Sequence, residues 1–94
     1  MSADIEKDKL VKAYYKLKTM CEFRMSLVDD REVFRSVSRK ISKAYRECKR
    51  IKESDKDSIN KYYLLCKELY LELNIAKRKS MEKMVVNKLV RWWE

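Results

Sequence analysis

Glycine, proline and histidine are all absent from this chain of 94 residues. Average usage would supply about seven glycines and about five prolines. Without glycine the chain has no residue that enters positive-φ turns freely, and without proline nothing interrupts a helix from within. Tight β-hairpins are therefore disfavoured, and Asp and Ser are left to make the corners. The missing histidine removes the commonest acid–base side chain. No glycine-rich phosphate loop exists either, so the sequence carries no self-sufficient catalytic constellation.

The three cysteines, Cys21, Cys48 and Cys66, lie about 20 residues or more apart and form no C-x-x-C pair. A four-ligand zinc site cannot be assembled from them. An odd number of thiols and no secretory hydrophobic region point to a reducing interior compartment. Apolar runs are only a few residues long, far short of a membrane span.

What is abundant is charge. Charged residues make up 41% of the chain, with 24 Lys and Arg against 15 Asp and Glu, a formal net charge of +9. That balance calls for an acidic partner: nucleic acid, anionic lipid or an acidic protein. One small domain is expected, with a core thin enough that a partner would complete its stability.

Apolar residues recur at helical spacing in three stretches. Leu10, Ala13, Tyr14, Leu17 and Cys21 form one stripe, predicting a first helix over about 4–26. Asp29 with Glu32 three residues later resembles a capping box, and Phe34, Val37, Ile41, Ala44, Tyr45, Cys48 and Ile51 mark a second helix over about 30–53. Ser54 or Asp55 caps a third, about 55–79, whose stripe is Ile59, Tyr62, Cys66, Leu69, Leu73 and Ala76. Residues 80–94 read as a continuing helix or an ordered tail. The fold class expected is all-α: a three-helix up-down-up antiparallel bundle, because short corners force neighbours to run antiparallel.

Each cysteine sits on an apolar stripe and is read as a small core residue. From Arg39 to Lys52 seven cations, including Arg39, Lys43, Arg46, Lys49 and Arg50, meet one carboxylate, Glu47. This is either a solvated face or a docking surface for phosphates or carboxylates; a second cluster, Lys77, Arg78, Lys79 and Lys83, favours docking. The pairs Tyr14-Tyr15 and Tyr62-Tyr63 each place one ring on a stripe and one beside it. Trp92 and Trp93 cannot both be buried in a three-helix core, so they are read as a partner contact.

The order Val11-Lys12-Ala13-Tyr14-Tyr15-Lys16, followed by Arg39-Lys40-Ile41-Ser42-Lys43-Ala44-Tyr45-Arg46-Glu47-Cys48-Lys49, resembles the LYR-motif (complex I LYR) family of small mitochondrial proteins. The likeness is greatest to the accessory subunits of the mitochondrial cysteine desulfurase. Glu72 to Lys79 looks like the Asp-Leu-Gly-Val-hydrophobic-Arg-Arg-Gln segment of that subfamily, and Ser80 to Val90 like its closing residues. Tyr14 stands for the motif leucine, Lys16 for its arginine, Tyr45 for a phenylalanine and Asn74 for a glycine.

The resemblance implies a non-catalytic subunit that binds and stabilises a cysteine desulfurase during iron–sulfur cluster assembly, inside a mitochondrion or a mitochondrion-derived organelle. Pyridoxal phosphate would belong to the desulfurase alone. It also implies docking of acyl carrier protein, whose acyl-phosphopantetheine enters the bundle and whose acidic surface meets Lys16 with the Arg39, Lys43, Arg46 and Lys49 face. Asp4, Glu6 and Asp8 do not suit an acid-poor transit peptide, so import would need an internal signal. Two other readings stay open: a basic helical nucleic-acid-binding module, and a subunit of another large assembly anchored through Trp92 and Trp93.

Overall fold

The structure, a computed structural model, describes residues 6–28 and 31–93, with side chains described as far as Glu82. It consists of three helices: α1 (Lys7–Ser26), α2 (Glu32–Lys49) and α3 (Lys56–Trp93). No strand occurs among the described residues. The helices pack on one another as the expected up-down-up bundle, because each buries one apolar stripe and the corners between them are short.

The core takes Leu10, Tyr14, Leu17 and Cys21 from α1, and Phe34, Val37, Ile41, Ala44 and Cys48 from α2. From α3 it takes Ile59, Leu69, Leu73 and Ala76. Their spacing of three and four residues is the reason these segments are helices that stay together. Burying one such Leu, Ile or Phe contributes about 1.5–3 kcal/mol. With 13 such positions the core is small, and single positions weigh heavily in its stability.

The corner before α3 is built by Asp55. Its carboxylate accepts from the Ser58 backbone N–H at 3.2 Å and from the Ser58 hydroxyl at 2.7 Å. One orphan donor of the first turn is thereby satisfied, as expected of an N-cap. The same two bonds from Ser58, first the hydroxyl and then the backbone N–H, hold the Asp55 carboxyl below its ordinary pKa. Between α1 and α2, Asp29 and Asp30 lie outside the described residues, and with them the expected capping box. Arg31 holds the N-cap position of α2 without a side-chain cap, and its carbonyl accepts from the Phe34 N–H at 3.0 Å.

One boundary differs from the sequence-based expectation. Helix α2 stops at Lys49, four residues early, because Arg50 and Ile51 turn back onto the Glu47 and Cys48 carbonyls at 3.1 and 3.3 Å. Of the two readings of residues 80–94, a continuing helix is the one found: α3 runs past Lys79, unbroken for 38 residues to Trp93, since no glycine or proline interrupts it. At 1.5 Å per residue it is about 57 Å long, close to the 61 Å extent of the whole molecule. Among the residues whose side chains are described, its last buried positions are Ala76 and Ser80.

Candidate functional site

The three motif residues on α1 diverge around the helix. Tyr14 is fully buried, and its hydroxyl donates to the backbone carbonyl of Tyr62 at 2.5 Å. The Tyr62 hydroxyl in turn donates to the Glu47 carboxylate at 2.6 Å, so one short network ties α1, α3 and α2 together. Burial pushes the Tyr14 hydroxyl above the ordinary tyrosine range, and the hydrogen bond to Glu47 pushes Tyr62 up as well. Tyr14 fills the centre of the core, so an acyl chain entering there would have to displace it.

Tyr15 leaves the core and is 59% exposed. Its ring meets that of Tyr45 on α2, with centroids 6.3 Å apart and planes tilted by 56°. The Lys49 ammonium lies 4.0 Å from the centre of the Tyr45 ring and that of Lys18 5.7 Å away. An ammonium over an aromatic face is held by the ring quadrupole, which fixes where both cations sit. The aromatic residues of the two motifs, thirty positions apart in sequence, thus form one basic and aromatic surface on α1 and α2.

Arg39, Lys43, Arg46 and Arg50 follow one another at steps of four, three and four residues, and all four are exposed. They form an outward stripe on α2. Two cations counted with this stripe in sequence belong elsewhere. Lys40 reaches across to Glu72 on α3 at 3.1 Å. Lys16 is exposed on the other side of α1, lining a groove against α3. Acids missing from α2 are supplied by α3: Glu68 and Glu72 line the α2–α3 seam together with Lys40, Lys43 and Glu47 of α2. Sequence alone overstated the unneutralised charge on this helix because it could not see the neighbour.

The groove against α3 was not anticipated. It has a volume of about 520 Å³ and is lined by Ala13, Lys16, Leu17 and Met20 from α1, with Tyr63, Cys66, Lys67, Tyr70 and Leu71 from α3. Its signal in the sequence is a second apolar face beside each core stripe: Met20 and Phe23 on α1, with Leu27 just past its end, and Tyr70 and Leu71 on α3, all exposed.

Two of the three cysteines lie in the core as their stripes predict, and Cys66 does not, because its side of α3 faces the groove. Cys21 and Cys48 are buried and Cys66 is half-buried at the groove. Burial pushes all three thiols above their ordinary range, which suppresses the reactive thiolate. No cluster of three His, Cys, Asp or Glu side chains that could hold a metal occurs among the described residues. Among them, too, no helix is long and apolar enough to cross a membrane. The side chains of Trp92 and Trp93 lie outside the described residues, though both positions belong to α3. No family model, curated protein or solved structure matches the chain.

Proposed function

We propose that the chain is a non-catalytic accessory subunit that binds and stabilises a cysteine desulfurase of the mitochondrial type in iron–sulfur cluster assembly. The observation that carries this reading is the meeting of Tyr15 with Tyr45. The two segments that resemble the LYR-motif family, one on α1 and one on α2, contribute to a single surface with Lys18, Lys49 and the Arg39 to Arg50 stripe around it. A partner that binds only the native state stabilises it by RT ln(1 + [L]/Kd), and mutual stabilisation is the role such a surface serves. In this reading pyridoxal phosphate stays with the desulfurase, the complex is a hetero-oligomer, and it resides in a mitochondrion or a derived organelle. Acyl carrier protein, if it docks, does so through the α2 stripe, since Tyr14 fills the core.

Co-expression with a cysteine desulfurase tests this directly. The two chains should co-elute on size exclusion, and Tyr45→Ala combined with Arg46→Glu should separate them while the bundle stays folded. Separate elution of the wild-type pair overturns the reading.

The outward stripe Arg39, Lys43, Arg46 and Arg50 favours one alternative, a helical module that binds nucleic acid through phosphates. Its signature is an affinity that falls linearly in log K against log salt, with each neutralised cation on the stripe reducing the slope by about one.

A further inference from the structure

We propose that the groove between α1 and α3 is a docking site for an amphipathic helix of a partner protein, one whose apolar stripe is flanked by carboxylates. The proposal does not depend on the desulfurase reading, since it rests on a different face of the molecule.

The lining is almost wholly apolar, formed by Leu17, Met20, Tyr63, Cys66, Tyr70 and Leu71. Met20 and Leu71 stay 44% and 61% exposed, so the bundle leaves this surface uncovered. From Ala13 to Met20 and from Tyr63 to Leu71 the groove runs along two to three helical turns, about 10–12 Å. Phe23, exposed three residues after Met20, lengthens the apolar face on α1 to about 15 Å, and Leu27 stands exposed just past the helix end. An elongated seam between two helices, lined at helical spacing, accepts a third helix presenting anchors at i, i+3, i+4 and i+7. The result is a four-helix arrangement.

Charge decides which helix. The lining includes Lys16 on α1 and Lys67 on α3, and no carboxylate. Lys67 lies 4.7 Å from the centre of the Tyr63 ring, which holds its ammonium at the rim. The α2–α3 seam is different, because three carboxylates, Glu47, Glu68 and Glu72, line it beside its lysines, and Glu72 pairs with Lys40. A second copy of this chain would bring its own net charge of +9 to a cationic rim, so repulsion disfavours self-association. A partner helix with Asp and Glu beside its apolar stripe satisfies both the groove and its rim, and mismatched charge would exclude others.

The test uses the full chain and a synthetic amphipathic peptide of about 18 residues, ~27 Å as a helix, with leucine at i, i+3, i+4 and i+7 and glutamate flanking. Binding is followed by fluorescence anisotropy and by the rate at which N-ethylmaleimide alkylates Cys66, which lines the groove. The glutamate peptide is expected to bind saturably and to slow alkylation of Cys66 in the folded chain, whereas the buried Cys21 and Cys48 stay unmodified under native conditions with or without it. Leu71→Glu, and independently Met20→Glu, should weaken it roughly tenfold or more, as loss of a central anchor does. Lys16→Glu with Lys67→Glu should do the same and favour a lysine-flanked peptide instead. Lys43→Glu with Arg46→Glu changes the net charge equally on α2 and should have little effect.

Circular dichroism melts confirm that each variant is folded, and if the exposed positions prove intolerant, protection of Cys66 in the wild-type chain decides. The proposal is overturned if the α2 variant weakens binding as much as the groove variant, or if Cys66 is unprotected. It fails equally if the wild-type chain forms a dimer that Leu71→Glu dissolves, or if the groove binds phosphatidylglycerol vesicles in place of the peptide.

Discussion

Tyr14 and its neighbours show how one residue's surroundings set its role. The Tyr14 hydroxyl bonds to the Tyr62 carbonyl, so Tyr14→Phe should lower stability by about 1 kcal/mol in urea denaturation, whereas Tyr14→Ala should cost about 3–5 kcal/mol through the cavity it leaves. The raised folded-state values of Tyr14 and Tyr62, against an ordinary 10.0, and of the three thiols, against 9.0, also fix the alkaline behaviour. A raised pKa gives stability that is complete below the unfolded value, because the unfolded chain releases its proton first as pH rises. Stability should therefore decline from about pH 9 upward, with the tyrosine contribution beginning above pH 10. A denaturation series from pH 7 to 11 checks this, and Tyr14→Phe should flatten its upper end. That Tyr14, Cys21 and Cys48 are core was legible in their helical spacing. The destination of the Tyr14 hydroxyl was not, because its acceptor lies 48 residues away on another helix.

At the scale of elements, Asp55 makes the start of α3. Replacing it by Ala should destabilise the start of α3, as loss of a capping side chain does, measured as a lowered thermal midpoint. Its carboxyl is held below the ordinary 3.8, so the sign is opposite to that of the tyrosines. The contribution is present at neutral pH and is lost as pH falls below 3.8, where the folded state must take up the proton. Asp55→Asn, which keeps an acceptor but does not titrate, should remove that acid dependence. This cap could be read from the sequence because it is local, Asp55 and Ser58 being three residues apart. The early end of α2 was harder to see: Ile51 fits the apolar period, but the chain must turn there to run back along the bundle. The unbroken length of α3 follows from absent helix breakers, and only its destination needed the structure.

The whole molecule combines a small core with a large positive charge. Phe34 in the first turn of α2 and Ile41 at its middle are fully buried, and Phe34→Ala should cost about 3–5 kcal/mol. That approaches the total of about 5–15 kcal/mol typical of a native domain, so urea should unfold the variant at a much lower midpoint. The +9 charge repels itself, and added salt should raise the thermal midpoint of the free chain until screening is complete near a Debye length of about 8 Å at 0.15 M. A midpoint that falls with salt would show instead that ion pairs such as Lys40–Glu72 dominate.

Composition and period alone determined the all-α class, the number of helices and most of the core, though Tyr45, Ile51, Tyr62 and Cys66, which fit the stripes, are only partly buried. The physical reason is that helix formation and amphipathicity depend on neighbours within four positions, all visible along the chain. The tertiary structure decided which surface residues act together. It set Tyr15 against Tyr45, gave Lys40 a carboxylate from α3, turned Lys16 away from the α2 cations, and left an apolar groove with a cationic rim between α1 and α3. Those relations depend on how helices rotate about their axes when their stripes meet, and that rotation is settled only by packing all three together.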